Sequence, residues 1–434
     1  MRLDYQSRRH GWCNRLRSRI FSTWARSATG ALTIILLNAC SLPAQVSGYR
    51  IRHISSDSTV NTSWQSGIRS FSPSDQILYD DEPKSLDGRA LACRAAENWI
   101  PSKTLRTRAQ TIERAFCRAE TCQRVGAAAV AAFLRLQAAR QEDLAAASAL
   151  RAYYSKIAIG LQIAHLKNVK QAIDFETQRQ VSLKSKGATS SIDLSSFERE
   201  QLQCDEQLLQ LVSEDYQLQS LIEQLTELDY SATQGPQESL EVRGISVNVD
   251  ACVRIAMQQR ADLRAWYPLR QHISTDSAPI FAQSLSAAVG GWGMPIPQLS
   301  ALRSLLCKTD QSQMARGMSQ ELSFLFSAQQ KSIEQEVRER CSKLELAYAR
   351  IDIAADIMAS WRTRVEQLKK LAEIGDGQPQ ESASAGSELL RSEATWLQRQ
   401  LAARLAEIDL AESLGDLAQR CCRGEPWFSP AIME

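Results

Sequence analysis

Cysteine is the residue type in this chain with the most chemistry on offer, and eleven occur. Cys117 and Cys122 stand five apart, on different faces of any helix, and Cys421-Cys422 is a vicinal pair. Neither is the Cys-x-x-Cys spacing that grips zinc or runs a thiol–disulfide cycle. In an oxidising compartment Cys117 and either Cys421 or Cys422 are candidates for a bridge, which the sequence alone does not connect. The plainer role is a small apolar filler in a helical seam, which suits Cys204. The four histidines, His10, His53, His165 and His272, lie far apart and lack the helical spacing of metal ligands. No GxSxG, HExxH or phosphate-loop pattern occurs, and Gly290-Gly-Trp-Gly293 neither follows a clear strand nor opens a clear helix. Asp80-Asp81-Glu82 reads as a solvated loop. No catalytic residue, cofactor or metal site is assigned, and the chain reads as a non-enzyme.

Cys40 is a different case because of what precedes it. Arg2, Arg8, Arg9, Arg15, Arg17, Arg19 and Arg26 form a positive flank opposed only by Asp4. An apolar run, Ala28-Thr-Gly-Ala-Leu-Thr-Ile-Ile-Leu-Leu37, follows and is too short to persist as a spanning helix. It ends in Leu37-Asn38-Ala39-Cys40-Ser41, which resembles a bacterial lipobox, where the thiol receives a diacylglyceryl group before cleavage. Residues 1–39 are thus expected to be a lipoprotein-type signal peptide. The alternative is an ordinary signal peptide with a coincidental cysteine. Acyl chains contribute about 0.8 kcal/mol per buried CH₂, so a multiply acylated Cys40 needs no transmembrane helix to stay on a membrane. Ser41 rather than Asp follows it, which by bacterial sorting rules points to the outer membrane, on the periplasmic face.

The elements that position everything else are helices. Only 19 Gly and 12 Pro occur in 434 residues, so turns are too scarce for a sandwich or barrel filling the chain. Aromatics are 6% and charged residues 23%, a composition that favours long helices with narrow apolar seams. Lys+Arg number 51 against 49 Asp+Glu, which leaves +2 and argues against nucleic-acid binding. Residues 40–85, rich in Ser, Asp, Thr and Pro, read as a flexible tether. Leu105 to Lys184 contains no Pro and only Gly126 and Gly160, and reads as one unbroken helix of roughly 120 Å. It stops at Gly187, and Ser190 or Asp193 can cap the next helix. That helix carries a seam at 194, 197, 201, 204, 208, 211, 215, 218, 222 and 225, alternating three and four apart. Apolar residues fill it except at Gln201 and Asp215.

The chain breaks at Ser231-Ala-Thr-Gln-Gly235-Pro236 and starts again. Leu86-Asp87 with Arg94 to Asn98 parallels Val249-Asp250 with Met257 to Leu263, Asp87 and Asp250 being 163 apart. A second helical run covers about Gln320 to Ile374, followed by a loop from Gly375 to Gly386 and a return helix through Leu414. An internally duplicated helical hairpin is the simplest reading. It gives a first repeat at 86–235, a second at 236–420 with an irregular insert at about 272–313, and a tail at 421–434. The expected class is all-α: long antiparallel coiled-coil hairpins in two internal repeats.

In order and spacing these features resemble the outer-membrane efflux factor family, the TolC-like proteins. Gly187-Ala-Thr-Ser190-Ser-Ile-Asp193-Leu194 is similar to the family's G-x-x-S/T-x-x-D-hydrophobic hairpin tip. Val249-Asp250 through Ala256-Met-Gln-Gln-Arg260-Ala261-Asp262-Leu263 resembles its A-L-x-x-R-P-D-L segment, with Ala261 in place of Pro. Glu388-Leu389-Leu390 through Leu414-Gly415 resembles the second return helix. The second tip is degenerate, with Ser382, Ala385 and Glu388 after Gly375 where Gly, Ser/Thr and Asp would stand. The resemblance implies a homotrimer whose hairpins form a hollow α-barrel. It would conduct solutes handed over by an inner-membrane transporter and a periplasmic adaptor (membrane fusion) protein, docked at Gly187, Ser190 and Asp193.

The family also inserts a β-hairpin in each repeat, and here the sequence departs from it. Pro101 leads straight into helical sequence, and Ile280 to Val289 is a short alternation, so little or no β-barrel is expected. Trp266-Tyr267-Pro268 and Trp292 mark either an interfacial aromatic belt or a plug between helical layers. The rival reading is a non-conducting coiled-coil periplasmic scaffold lipoprotein that kept the hairpins.

Overall fold

Two short helices open the two halves in the same way. Helix α1 (Gly88–Asn98) starts at Asp87, whose carboxylate accepts the Arg89 N–H at 2.9 Å. Helix α5 (Val249–Gln259) starts at Asn248, whose side chain accepts the Ala251 N–H at 2.9 Å. Each ends on one extended residue, Trp99 (φ −62°, ψ 109°) or Arg260 (φ −58°, ψ 119°), and a new helix begins at once. Gly88 to Val249 and Asn98 to Gln259 are both 161 residues, which corrects the offset of 163 read from the two aspartates. The equivalent residues are the caps, Asp87 and Asn248, because capping chemistry sets the helix start. The computed structural model that shows this describes residues 87–185, 194–228, 238–242, 246–275, 311–374 and 379–428, with Gly244, Ser277, Phe281 and Ile432.

After α1 comes α2 (Ile100–Ala115), then α3 (Thr121–Ser185, 65 residues) and its return α4 (Leu194–Thr226, 33 residues). After α5 come α6 (Ala261–Arg264) and α7 (Trp266–His272), then α8 (Gln311–Ile374, 64 residues) and its return α9 (Pro379–Leu414, 36 residues). The near-equal lengths make the duplication plain, and at 1.5 Å per residue the two long helices each extend roughly 97 Å. Helix α10 (Leu417–Arg423) closes the chain. Among the described residues there is no β-strand, and no helix is long and apolar enough to cross a membrane.

The single helix expected over 105–184 is two. The backbone turns at 116–120, where Phe116 leaves helical geometry (φ −103°, ψ 9°), and α2 lies antiparallel along α3. Arg106 grips Glu142 with two bonds of 2.8 Å, and Arg135 of α3 reaches back to Glu113 at 2.7 Å. Ser102, Leu105 and Ala109 are the buried face of α2. No Gly or Pro marks the turn; burial of that face produces it. Residues 100–115 are thus helical, as expected from Pro101, which occupies the start of α2 where its missing N–H costs nothing.

In α4 every expected seam position from Phe197 to Leu225 is buried or half-buried. The two polar interruptions are used: Gln201 donates to Asp174, and Lys156 donates to Asp215 at 2.6 Å, both partners lying on α3. The α8 seam runs through Ile333, Val337, Cys341, Leu344, Tyr348 and Ile351. Its return helix begins at Pro379, so residues 379–386, expected to be loop, are helical. Pro379 suits a first helical position, and Glu381 in the first turn meets Arg364 of α8 at 3.1 Å.

One bridge joins the ends of the described chain. Cys93 of α1 is bonded to Cys422 of α10, with Cα atoms 4.8 Å apart. This corrects the expectation of Cys117, which is exposed at the α2–α3 turn and free; Cys421 is free and buried. Packing of α10 on α1 decides the partner, as Arg89 also donates to the Gly424 carbonyl at 3.1 Å. Cys204 is buried in its seam, as expected.

Candidate functional site

The motif around Arg260 lies where the second repeat meets the first. Because Arg260 is the extended residue between α5 and α6, its side chain turns inward, and it is only 4% exposed. Its Nε and Nη2 fork onto Asp262 at 3.0 and 2.8 Å, while Nη1 reaches Glu336 of α8 at 2.6 Å and the Ser413 carbonyl of α9 at 3.5 Å. Asp262 is filled further by the Leu263 N–H (2.9 Å) and Gln329 (3.2 Å). Burial would raise the Asp262 carboxyl, but the Arg260 fork outweighs it and holds the group below the usual range. Burial opposes charge on Arg260 too, and its carboxylates outweigh that and raise its pKa. Leu263 is fully buried beside them. Ala261 occupies the first helical position of α6, where a Pro would also fit because its missing N–H costs nothing.

A second cluster continues from this one and ties α3 to α9. Arg140 donates to the Glu412 carboxylate at 3.0 Å and to the Glu412 carbonyl at 3.1 Å. Arg151 donates to Asp409 at 2.9 and 2.6 Å and also holds Glu412, and Arg340 of α8 reaches Asp409 at 2.5 Å. Glu412 is pushed up by burial and pulled further down by Arg140 and Arg151, so it stays ionised. Asp143 of α3 (3% exposed) accepts the Asp416 N–H at 3.2 Å and the Ala418 N–H at 3.0 Å. It caps α10 from another helix. Burial raises its carboxyl to about 6, against those two bonds and Arg140.

Paired and hydrogen-bonded charges of this kind fix register rather than perform a reaction, since no nucleophile or unpaired base sits among them. Cys93, Glu97 and Cys422 come together at the bridge, but both sulfurs are already bonded to each other. Sequence reasoning found Arg260, Asp262 and Leu263 and missed Arg140, Asp143, Arg151, Asp409 and Glu412. The signal was there: Arg140, Asp143 and Arg151 interrupt the Ala-rich stretch 127–152.

Of the other expected positions, Cys40, Gly187, Ser190, Asp193, Gly375 and Trp292 lie outside the described residues. Glu388 is half-buried in α9, nine residues past Pro379, and takes Arg391 at 3.0 Å. Trp266 is buried edge-on to Phe133 at 5.7 Å, and Tyr267 meets Phe326 at 5.2 Å, so this aromatic pair plugs a helix junction.

Two duplicated helical hairpins clasped at their shared junction are the fold of TolC-like outer-membrane channels. The CmeC outer membrane channel of Campylobacter jejuni superposes with a TM-score of 0.58 at 10% identity, over 90% of this chain and 98% of CmeC. The MtrE outer membrane channel of Neisseria gonorrhoeae, in its open state, gives 0.57 at 12% identity, over 76% of this chain and 88% of MtrE. The outer membrane protein VceC of Vibrio cholerae gives 0.54 at 10% identity, over 76% of this chain and 96% of VceC. No protein-family model matches the chain, and no curated protein sequence does.

Proposed function

We propose that the protein is an outer-membrane-factor-like component of an efflux or export system. Residues 1–39 are a signal peptide, Cys40 carries the lipid anchor, and 40–85 are the tether. The repeats at 86–235 and 236–420 then stand in the periplasm, with 421–434 stapled back through Cys422. Three copies form a hollow α-barrel that passes solutes from an inner-membrane transporter and its periplasmic adaptor, which docks at Gly187, Ser190 and Asp193. Flux is passive here and powered elsewhere.

One observation carries the assembly. Leu202, Leu209 and Tyr216 repeat every seven residues along α4, with Val212 beside them, and all four are exposed, Leu209 and Tyr216 by 73% each. Leu346, Ile353, Ile357, Leu371 and Ile374 form a matching exposed series on α8. Apolar residues at heptad spacing on the outside of a finished hairpin support burial against helices of another copy.

The scaffold reading draws on one fact, the helix at Ile100–Ala115 where the family carries a strand pair. Ser190→Arg separates the two readings, since an exposed tip tolerates it. With assembly mass and thermal stability unchanged, efflux and cross-linking to an adaptor should both fall. Undiminished cross-linking would leave the tip a simple turn and favour the scaffold.

A further inference from the structure

We propose that the turn between α2 and α3, together with the start of α8, is a basic end face that seats the protein on the anionic headgroups of the membrane carrying its anchor. Ion pairs define the ends of the molecule. Arg140 and Arg151 of α3 meet Glu412 and then Asp409 of α9, and Arg340 and Arg364 of α8 meet Asp409 and then Glu381. Both long helices therefore run antiparallel to α9 and begin at the same end, with Ser185 and Ile374 at the other. Helix α7 sets their level, since Trp266 packs on Phe133 of α3 and Tyr267 on Phe326 of α8. Arg124 lies nine residues and Arg316 ten residues closer to that end, so each stands roughly 14 Å beyond the aromatic contacts.

Arg114 and Arg118 flank the turn itself, and all four arginines are exposed. Nearby Arg106 and Arg135 are consumed by Glu142 and Glu113. Among the described residues no carboxylate pairs with Arg114, Arg118, Arg124 or Arg316, and Glu120 is the exposed acid set against them at the turn. Beside these cations Val125 is exposed and Phe116 half-buried, which adds a short apolar tip. Unpaired guanidinium groups beside apolar side chains match a lipid headgroup layer, where phosphates take forked hydrogen bonds and apolar atoms reach the acyl boundary. The occupant follows from the anchor proposed on Cys40, on which this inference rests. As a random coil the tether read over 40–85 spans roughly 40 Å, which keeps the end face near that bilayer without orienting it. Tethering makes docking intramolecular, so a few arginines suffice, at about fivefold in the docking equilibrium for each. Docked by this end, the far ends of α3 and α8 point away from the membrane.

For the test, the mature chain isolated from the cell envelope is mixed with vesicles of phosphatidylcholine, alone or with phosphatidylglycerol. Cys117, exposed and free on the turn, is the reporter, its alkylation followed by peptide mass. Alkylation should slow several-fold on the anionic vesicles only, and high salt should restore it. Arg114→Gln/Arg118→Gln/Arg124→Gln should weaken docking about a hundredfold and abolish the protection. Helicity and melting temperature should stay unchanged, because these exposed side chains hold no carboxylate. Equal protection on both kinds of vesicle, or none on either, would overturn the proposal. Co-flotation with the phosphatidylcholine vesicles reports the anchor separately. A chain that fails to float there, yet floats with the anionic vesicles in a salt-sensitive way, lacks the anchor and keeps the basic face. Polyglutamate that protects Cys117 where anionic vesicles do not would assign the face to an acidic protein and contradict the lipid surface.

Discussion

Gly415 lies against the backbone of Arg260, so that a Cβ at 415 would stand 2.9 Å from the Arg260 Cα and 3.1 Å from its nitrogen. The same glycine has φ +82°, at the turn between α9 and α10. Gly415→Ala therefore meets two penalties at once, left-handed strain of about 1–2 kcal/mol and a backbone clash that displaces the Arg260 cluster. Gly424→Ala shares the strain (φ +69°) but meets open space. Thermal unfolding should show a clearly larger loss at 415 than at 424. Equal losses would mean that the contact with Arg260 carries no weight.

Arg260→Ala should cost about 3–5 kcal/mol, because it leaves Asp262 buried without its counter-charge. Arg260→Met with Asp262→Leu should recover most of that loss, since both charges leave together. Denaturant unfolding of the two variants measures the difference. A double variant no better than Arg260→Ala would show that the guanidinium acts through packing alone.

Asp143 gives a pH dependence of defined sign. Its folded pKa, about 6, exceeds its ordinary value of 3.8, so the folded chain retains a proton that the unfolded chain has released. Its contribution to stability is complete below about pH 4 and is lost as pH rises through about 6. Asp143→Asn mimics the protonated form. The melting temperature of wild type relative to Asp143→Asn should therefore fall between pH 4 and 7. Asp262 and Glu412, both lowered, act in the opposite direction in both proteins and cancel in the comparison. A difference that is flat, or that rises, would contradict the assignment.

Cys40→Ala should release the protein from the membrane or block its processing, since none of the described helices can replace an acyl anchor. Fractionation and the mass of the mature chain are the readouts. Unchanged retention with unchanged mass would exclude the lipobox.

The hairpins were legible because their signals are local. Three–four spacing on α4, the break after Lys184 and the restart near Val249 each depend on a few neighbouring residues. The α2–α3 turn was not, because no residue from Phe116 to Glu120 breaks a helix and burial of Leu105 and Ala109 decides it. Arg260 and Asp262 were found through a motif, but their partners Glu336 and Ser413 are 76 and 153 residues from Arg260. Arg140 and Arg151 look like surface charges until α9 supplies Asp409 and Glu412. The Cys93–Cys422 bridge spans 329 residues, beyond anything spacing can connect.

Conduction requires the hairpins to close into a multi-chain barrel. The direct measurement is the mass of the detergent-extracted assembly, with electron microscopy of the same particles viewed end-on. Three copies around an open lumen are predicted, and Leu209→Asp with Tyr216→Asp should reduce the particle to single, folded chains. A wild-type particle of one chain, or an oligomer with a solid centre, would contradict it.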